Sequence, residues 1–178
     1  MMSERIYLNN DWKFAEQFEA SMTEAAYDDS VMQNVRLPHT CKETPLHYFD
    51  EHCYQMVSGY RRVIEAEEAW KGKKILLTID GAAHDSEVFL NGEKVGEHHC
   101  GYTAFTMDIS GVLRYGEKNI LVVKVDSRED LNIPPFGYVI DYMTYGGIYR
   151  DVYLDIKNKD YIEDIFIRTN IGQMDDQN

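Results

Sequence analysis

The chain has 178 residues, 44% of them hydrophobic, with 31 acidic against 18 basic side chains and a formal charge of -13. That length holds one domain of ordinary size, with residues left for the start of another, and it buries enough apolar surface to fold without disulfides or a structural metal. The acidic balance argues against nucleic acid and anionic membrane surfaces, which reward positive charge, and leaves neutral ligands such as sugars open.

Ile6 to Phe14 carries the first apolar residues, with a turn at Asn9-Asn10-Asp11. Glu16 to Val31 is acidic and weakly patterned, with room for a short helix over 22–27. Leu37 to Gln55 is irregular and contains Pro38 and Pro45. Regular structure resumes at Gly59-Tyr60-Arg61-Arg62-Val63-Ile64. Lys74 to Asp80 reads as a strand with Ile75, Leu77 and Ile79 on one face. Ser86 to Leu90 alternates again and is followed by Asn91-Gly92, which favours a two-residue hairpin turn returning along 93–97. Phe105 to Ile109 is a further short strand. Asn119 to Val125 is apolar on both parities, as expected of a strand buried between two sheets or under a covering loop.

Leu131 to Met143 is a second irregular stretch, with Pro134-Pro135, Phe136, Tyr138 and Tyr142. Ile148 to Ile156 then alternates, with Arg150 on the apolar parity and so in need of a partner if buried. Lys157-Asn158-Lys159-Asp160 is a polar break, after which Ile165 and Ile167 alternate within 162–169. At least seven short strands with turn signals and no strand-then-long-helix rhythm predict an all-β fold, an antiparallel β-sandwich or jelly roll. The domain is expected over 1–158. Residues 159–178 are expected to form a linker and either the first strand of another domain or an edge strand of this one.

No apolar run approaches the ~20 residues needed to cross a bilayer. The N-terminus lacks a signal-peptide core, so the expected location is the cytoplasm or, if a leader was removed, the periplasm or exterior. Cys41, Cys53 and Cys100 are a poor disulfide framework and favour a reduced compartment, with a Cys41–Cys53 bridge left open.

Catalytic chemistry finds little support. His84 and Asp85 are adjacent, so in a strand they point to opposite faces and make a poor proton relay; a structural or binding-face loop suits them better. His98-His99-Cys100 is too tightly spaced for a zinc site, and no metal is expected. His39 reads as a structural hydrogen-bonding residue. The cysteines lack a nucleophile motif, and the glycines form no phosphate loop, so no cofactor is expected. Binding chemistry fits better. Sugars need polar groups for their hydroxyls and aromatic faces for their C–H surfaces, and 131–145 supplies Phe136, Tyr138, Asp141, Tyr142 and Tyr145. Gly146 and Gly147 permit a close approach or a positive φ. They are assigned to architecture with Arg150, which is expected in a salt bridge or capping a carbonyl.

An ordered series of segments resembles the N-terminal domain of the glycoside hydrolase family that contains β-galactosidases, β-glucuronidases and β-mannosidases. It comprises Leu8-Asn9-Asn10-Asp11-Trp12-Lys13-Phe14, Leu37-Pro38-His39-Thr40, Gly59-Tyr60-Arg61-Arg62, the run from Asp80 to Gly92, the run from Val95 to Phe105, and Gly146-Gly147-Ile148-Tyr149-Arg150-Asp151-Val152. The resemblance implies a galactose-binding-domain-like jelly roll, with Trp12 in its framework. It packs beside an immunoglobulin-like domain and a TIM barrel, which carries the two glutamates of retaining hydrolysis. The chain is too short for that barrel, so no catalytic residue is assigned. Asp141, five residues before Gly146, matches a carboxylate that contacts the terminal sugar in the family, with Tyr142 and Tyr138 beside it. The implied partners are the missing domains and a β-galactoside or related sugar, and a homo-oligomer is compatible. The alternative is a free-standing carbohydrate-binding or protein-interaction sandwich.

Overall fold

The structure, a computed structural model, describes residues 4–47, 50–134 and 144–169. Its strands are β1 (Glu4–Tyr7), β2 (Trp12–Ala15), β3 (Gln33–Val35), β4 (Val57–Glu65), β5 (Lys74–Ile79), β6 (Ala82–Ala83), β7 (Asp85–Leu90), β8 (Glu93–His99), β9 (Phe105–Asp108), β10 (Lys118–Asp126), β11 (Gly147–Ile148) and β12 (Val152–Lys157). One sheet has the order β1-β12-β5-β9 and the other β3-β2-β4-β10-β7-β8, while β6 and β11 form a small separate pair. Every pairing is antiparallel.

The period-two pattern places the core between the sheets. Ile75, Leu77 and Ile79 of β5 and Val152, Leu154 and Ile156 of β12 share one buried cluster with Trp12, Tyr60, Val88, Leu90, Leu121, Val123 and Val125. The opposite parity of β10 is also covered. Val122 packs with Met22 and Met32, flanked by Phe18, Tyr27, Phe89 and Ile120. The covering loop expected from the doubly apolar 119–125 run is therefore the 16–32 segment.

Arg61 of β4 anchors that segment although it is only 3% exposed. Its Nε donates to the Met22 carbonyl at 3.2 Å and its Nη2 to the Glu24 carbonyl at 3.3 Å. Its Nη1 pairs with Asp29. The helix expected over 22–27 is replaced by two 3-10 turns, Ala20–Thr23 and Asp29–Val31. Met22, Tyr27 and Met32 recur every five residues, which draws no helical stripe.

The turn expected at Asn9-Asn10-Asp11 forms, one strand expectation changes, and 161–169 is not an edge strand of this sandwich. The opening segment splits into β1 and β2, which lie in different sheets; Asp11 turns the chain between them at φ 62°. The strand expected over 148–156 is broken at 149–151, where Tyr149 Oη donates to the Gly101 carbonyl. Asn9 fills this break: its Nδ2 donates to Asp151 at 2.8 Å and its Oδ1 accepts from Val152 N at 3.1 Å. Residues 161–169 join neither sheet. Ile162, Ile165, Phe166 and Ile167 there are 67–87% exposed. Asn91-Gly92 forms the expected hairpin turn with both φ positive, 54° and 89°.

The registers give the sandwich two distinct ends. Ile79, Asp85, Asp126 and Val152 mark one; Lys74, Leu90, Lys118 and Lys157 mark the other.

Candidate functional site

The connection from β10 to β11 leaves the first of these ends at Ser127 and returns at Gly146. Asp141, Tyr142 and Tyr138, the residues expected to meet a sugar, lie outside the described residues, as does Phe136. The two roots of the connection are described, and they define the site.

The outgoing root is sealed by backbone pairing. Ser127 is 1% exposed; its N–H donates to the Met56 carbonyl at 2.9 Å, and its hydroxyl lies between the carbonyls of Tyr54 and Met56. Arg128 folds back in a two-pronged pair with Asp126, at 2.9 and 2.5 Å. Burial opposes the Asp126 charge, but this pairing wins and holds its carboxyl below the usual range. Glu129 N–H donates to Gln55 Oε1 at 2.7 Å. Residues 54–56 thus fix where the connection starts.

The returning root is fixed by its glycines. A Cβ on Gly146 would stand 2.4 Å from Ser127 Cβ and 2.8 Å from Cys41 Sγ, so the two roots touch because position 146 has no side chain. Gly147 has φ +111°, and a Cβ there would meet Tyr60 Oη at 2.6 Å and the His39 carbonyl at 2.8 Å. The 39–41 segment runs alongside: His39 N–H donates to the Ile148 carbonyl at 2.8 Å, and Cys41 N–H to that of Gly146 at 2.9 Å. His39 Nδ1 and Tyr60 Oη are hydrogen-bonded at 2.8 Å, the structural role expected of this histidine. Burial lowers the His39 pKa and raises that of Tyr60, so both are neutral near pH 7.

Between the roots, Tyr145 stands 54% exposed and meets the buried Tyr54 edge-on, with centroids 5.2 Å apart. Thr144 Oγ1 donates to Glu129 Oε1 at 3.4 Å, linking one root to the other. A cleft of about 350 Å³ opens beside them, lined by His84, Asp85, Asp126, Arg128, Glu129 and Asp130. Four carboxylates and one guanidinium line it. His84 is 1% exposed, and its backbone N–H donates to the Asp126 carbonyl at 2.9 Å. Asp85 points the other way, to His99 Nδ1 at 2.6 Å, so the two adjacent residues do not form a relay.

Burial pushes the Cys41 thiol up to about 11, which leaves it protonated and a poor nucleophile. Among the described residues no three His, Cys, Asp or Glu side chains gather as metal ligands. The three cysteines are free thiols. Arg150, expected on an apolar face, is exposed in the 149–151 break and donates to the Tyr102 carbonyl at 3.2 Å. Trp12 is fully buried, its indole N–H on the Leu8 carbonyl. Tyr54, Gln55, Ser127 and Glu129 were not singled out in the sequence; only their three-dimensional meeting marks them. His84 stood out there as half of an unlikely relay, not as a buried residue beside both roots.

Residues 7–158 match the family described as glycosyl hydrolases family 2, sugar binding domain. A β-galactosidase of Thermoanaerobacter pseudethanolicus is 42% identical over 162 residues, which cover 90% of this chain and 22% of that protein. A β-galactosidase of Thermoanaerobacterium thermosulfurigenes is 41% identical, covering 95% of this chain and 24% of the relative. The solved structure of Bacteroides uniformis β-glucuronidase 2, covalently bound to cyclophellitol-6-carboxylate aziridine, superposes with a TM-score of 0.75 at 32% identity, over 87% of this chain and 18% of that one. The chain thus spans less than a quarter of the length of these relatives, and it belongs to glycosyl hydrolases family 2 through that family's sugar binding domain.

Proposed function

We propose that this chain is the non-catalytic sugar-binding domain of a longer, retaining exo-β-glycosidase that removes terminal β-galactosides. The observation that carries the reading is the pair of relatives named β-galactosidase at 42% and 41% identity. A Bacteroides fragilis relative named β-glucuronidase stands lower, at 34%. In this reading the isolated chain hydrolyses nothing, because the acid/base and nucleophile glutamates belong to a downstream barrel. The exposed, unpaired 161–169 segment is the first strand of an intervening immunoglobulin-like domain.

The 127–146 connection delivers Asp141 to the terminal sugar, where its carboxylate accepts hydroxyl hydrogen bonds; Tyr142 and Tyr138 flank it. Rigid roots support this role, since a recognition group works only if its backbone is held in place. Hydrogen bonds to a charged group are worth about 1.5–3 kcal/mol, so Asp141→Ala should lower kcat/KM of the full gene product by about 10- to 150-fold. The assay compares nitrophenyl β-galactoside with the β-glucuronide. Unchanged kcat/KM in the variant removes Asp141 from the site, and a preference for the glucuronide overturns the substrate.

A further inference from the structure

The Asn91-Gly92 turn carries a chemistry that its shape does not require. Both positions have positive φ, and Asp-Gly or Gly-Gly would serve such a turn as well as Asn-Gly. The reason for an amide at position 91 lies in its hydrogen bonds. Asn91 Nδ2 donates to Asn119 Oδ1 at 2.8 Å and to the Val112 carbonyl at 3.2 Å, while its Oδ1 accepts from Ile120 N at 3.0 Å. A carboxylate could replace only the last of these, because it has no proton to donate. Asn119, fully buried, extends the node. Its Oδ1 also accepts from Arg114 N at 2.8 Å, and its Nδ2 donates to the Arg114 and Glu117 carbonyls at 2.9 and 3.1 Å. Two side-chain amides thus join the β7–β8 hairpin to the 112–117 loop and to β10, at the end of the sandwich marked by Leu90 and Lys118.

We propose that Asn91 is a modification site, a point of deamidation that the Asn91–Asn119 node keeps shut in the folded protein. In the reaction the Gly92 nitrogen attacks Cγ of Asn91 and gives up its proton. The Cγ–Nδ2 bond breaks, and ammonia departs with that proton, leaving a five-membered imide. Water then adds to one imide carbonyl and breaks its C–N bond, giving aspartate or isoaspartate. Nothing is oxidised or reduced, and water is the only co-reactant. The nucleophile is available: Gly92 is exposed, it has no Cβ to shield its nitrogen, and its N–H is in no hydrogen bond among the described residues. The electrophile is clamped. Attack makes Cγ tetrahedral and expels Nδ2, so the three hydrogen bonds that hold the planar amide must be given up. Either product sets a carboxylate against two acceptors, the Val112 carbonyl and Asn119 Oδ1, and isoaspartate also adds a methylene to the main chain of a two-residue turn.

The test is made on the full gene product, held at mildly alkaline pH either folded or unfolded in urea, with conversion followed by mass spectrometry. The tryptic peptide 75–94 holds no other side-chain amide, so a mass gain there reports Asn91 alone. Three hydrogen bonds should slow conversion in the folded protein by about 100-fold relative to the unfolded one. Asn119→Ala withdraws one acceptor and should speed conversion in the folded protein by about five- to tenfold. Asn91→Asp, the stable product, should exchange its amides over 112–120 about tenfold faster than the parent while β12 stays protected. Equal rates in the folded and unfolded parent overturn the proposal, as does an unchanged rate in folded Asn119→Ala or unchanged exchange in Asn91→Asp. If Asn119→Ala does not fold, the two rates of the parent and the exchange of Asn91→Asp decide.

Discussion

The sharpest test of the architecture is Gly147→Ala. The perturbation is one methyl group, but it meets two obstacles. At φ +111° an L-residue is strained, and the new Cβ would stand 2.6 Å from Tyr60 Oη, 2.8 Å from the His39 carbonyl and 3.0 Å from Cys41 N. Tyr60 is fully buried and the other two atoms are backbone, so none can swing away. Backbone strain of about 1–3 kcal/mol and overpacking of about 1–3 kcal/mol together give about 4 kcal/mol, a large share of an ordinary domain's stability. At about 2 kcal/mol per molar urea, the unfolding midpoint should fall by about 2 M. Two controls separate the causes. Gly72 has φ +81° and open space around it, so Gly72→Ala should show the conformational cost alone. Gly111 has neither a positive φ nor a near neighbour, so Gly111→Ala should be neutral or slightly stabilising. In a Tyr60→Phe background the hydroxyl clash disappears, and the cost of Gly147→Ala should shrink by about 1 kcal/mol. A Gly147→Ala midpoint within about 0.3 M of the parent would refute the reasoning, because neither strain nor crowding would then be present.

Arg61→Met should cost about 2–4 kcal/mol by urea unfolding and expose 16–32 to protease first, since it orphans Asp29 and two backbone carbonyls; an unchanged cleavage pattern would show that the segment is held by its methionines alone. Tyr60→Phe should cost about 1–2 kcal/mol through the lost His39 hydrogen bond, read by thermal unfolding. Two steps are expected in the acid stability profile. His84 and His39, whose pKa values burial lowers from 6.5, contribute stability that is complete above pH 6.5 and declines as pH falls below it; His84→Phe should remove part of that first step. Glu87, held below 4.5 by hydrogen bonds from Lys124 and Lys94, contributes stability that is complete above pH 4.5 and is lost below it, so Glu87→Gln should flatten the second step.

Much of the fold was legible because period-two burial is a local property. Ile75, Leu77 and Ile79 announced β5, and Asn91-Gly92 announced its hairpin, from side-chain chemistry alone. The doubly apolar β10 even implied a cover, though only the structure identified it as 16–32. What the sequence did not reveal depended on distant partners. The break at 149–151 is set by Asn9 and by the Gly101 carbonyl, both more than forty positions earlier in the chain. Arg61 looked like an ordinary strand residue, because the carbonyls that justify its burial come from a loop without a pattern. The candidate site divides in the same way. Asp141 was reached through resemblance, whereas Ser127, Gln55 and His84 acquire meaning only where two roots meet. No periodicity encodes that meeting.

The two ends of the sandwich have a consequence for anything attached to it. The chain leaves β12 at Lys157, while the two described roots of the connection lie at the end marked by Val152. The six residues of β12 set these points about 20 Å apart along the strand direction. A unit tethered beyond residue 158 therefore starts about 20 Å from the roots of the connection. The domain then acts as a strut of fixed length. Its rigidity, more than any single contact, determines how far from the tether a binding group can be presented.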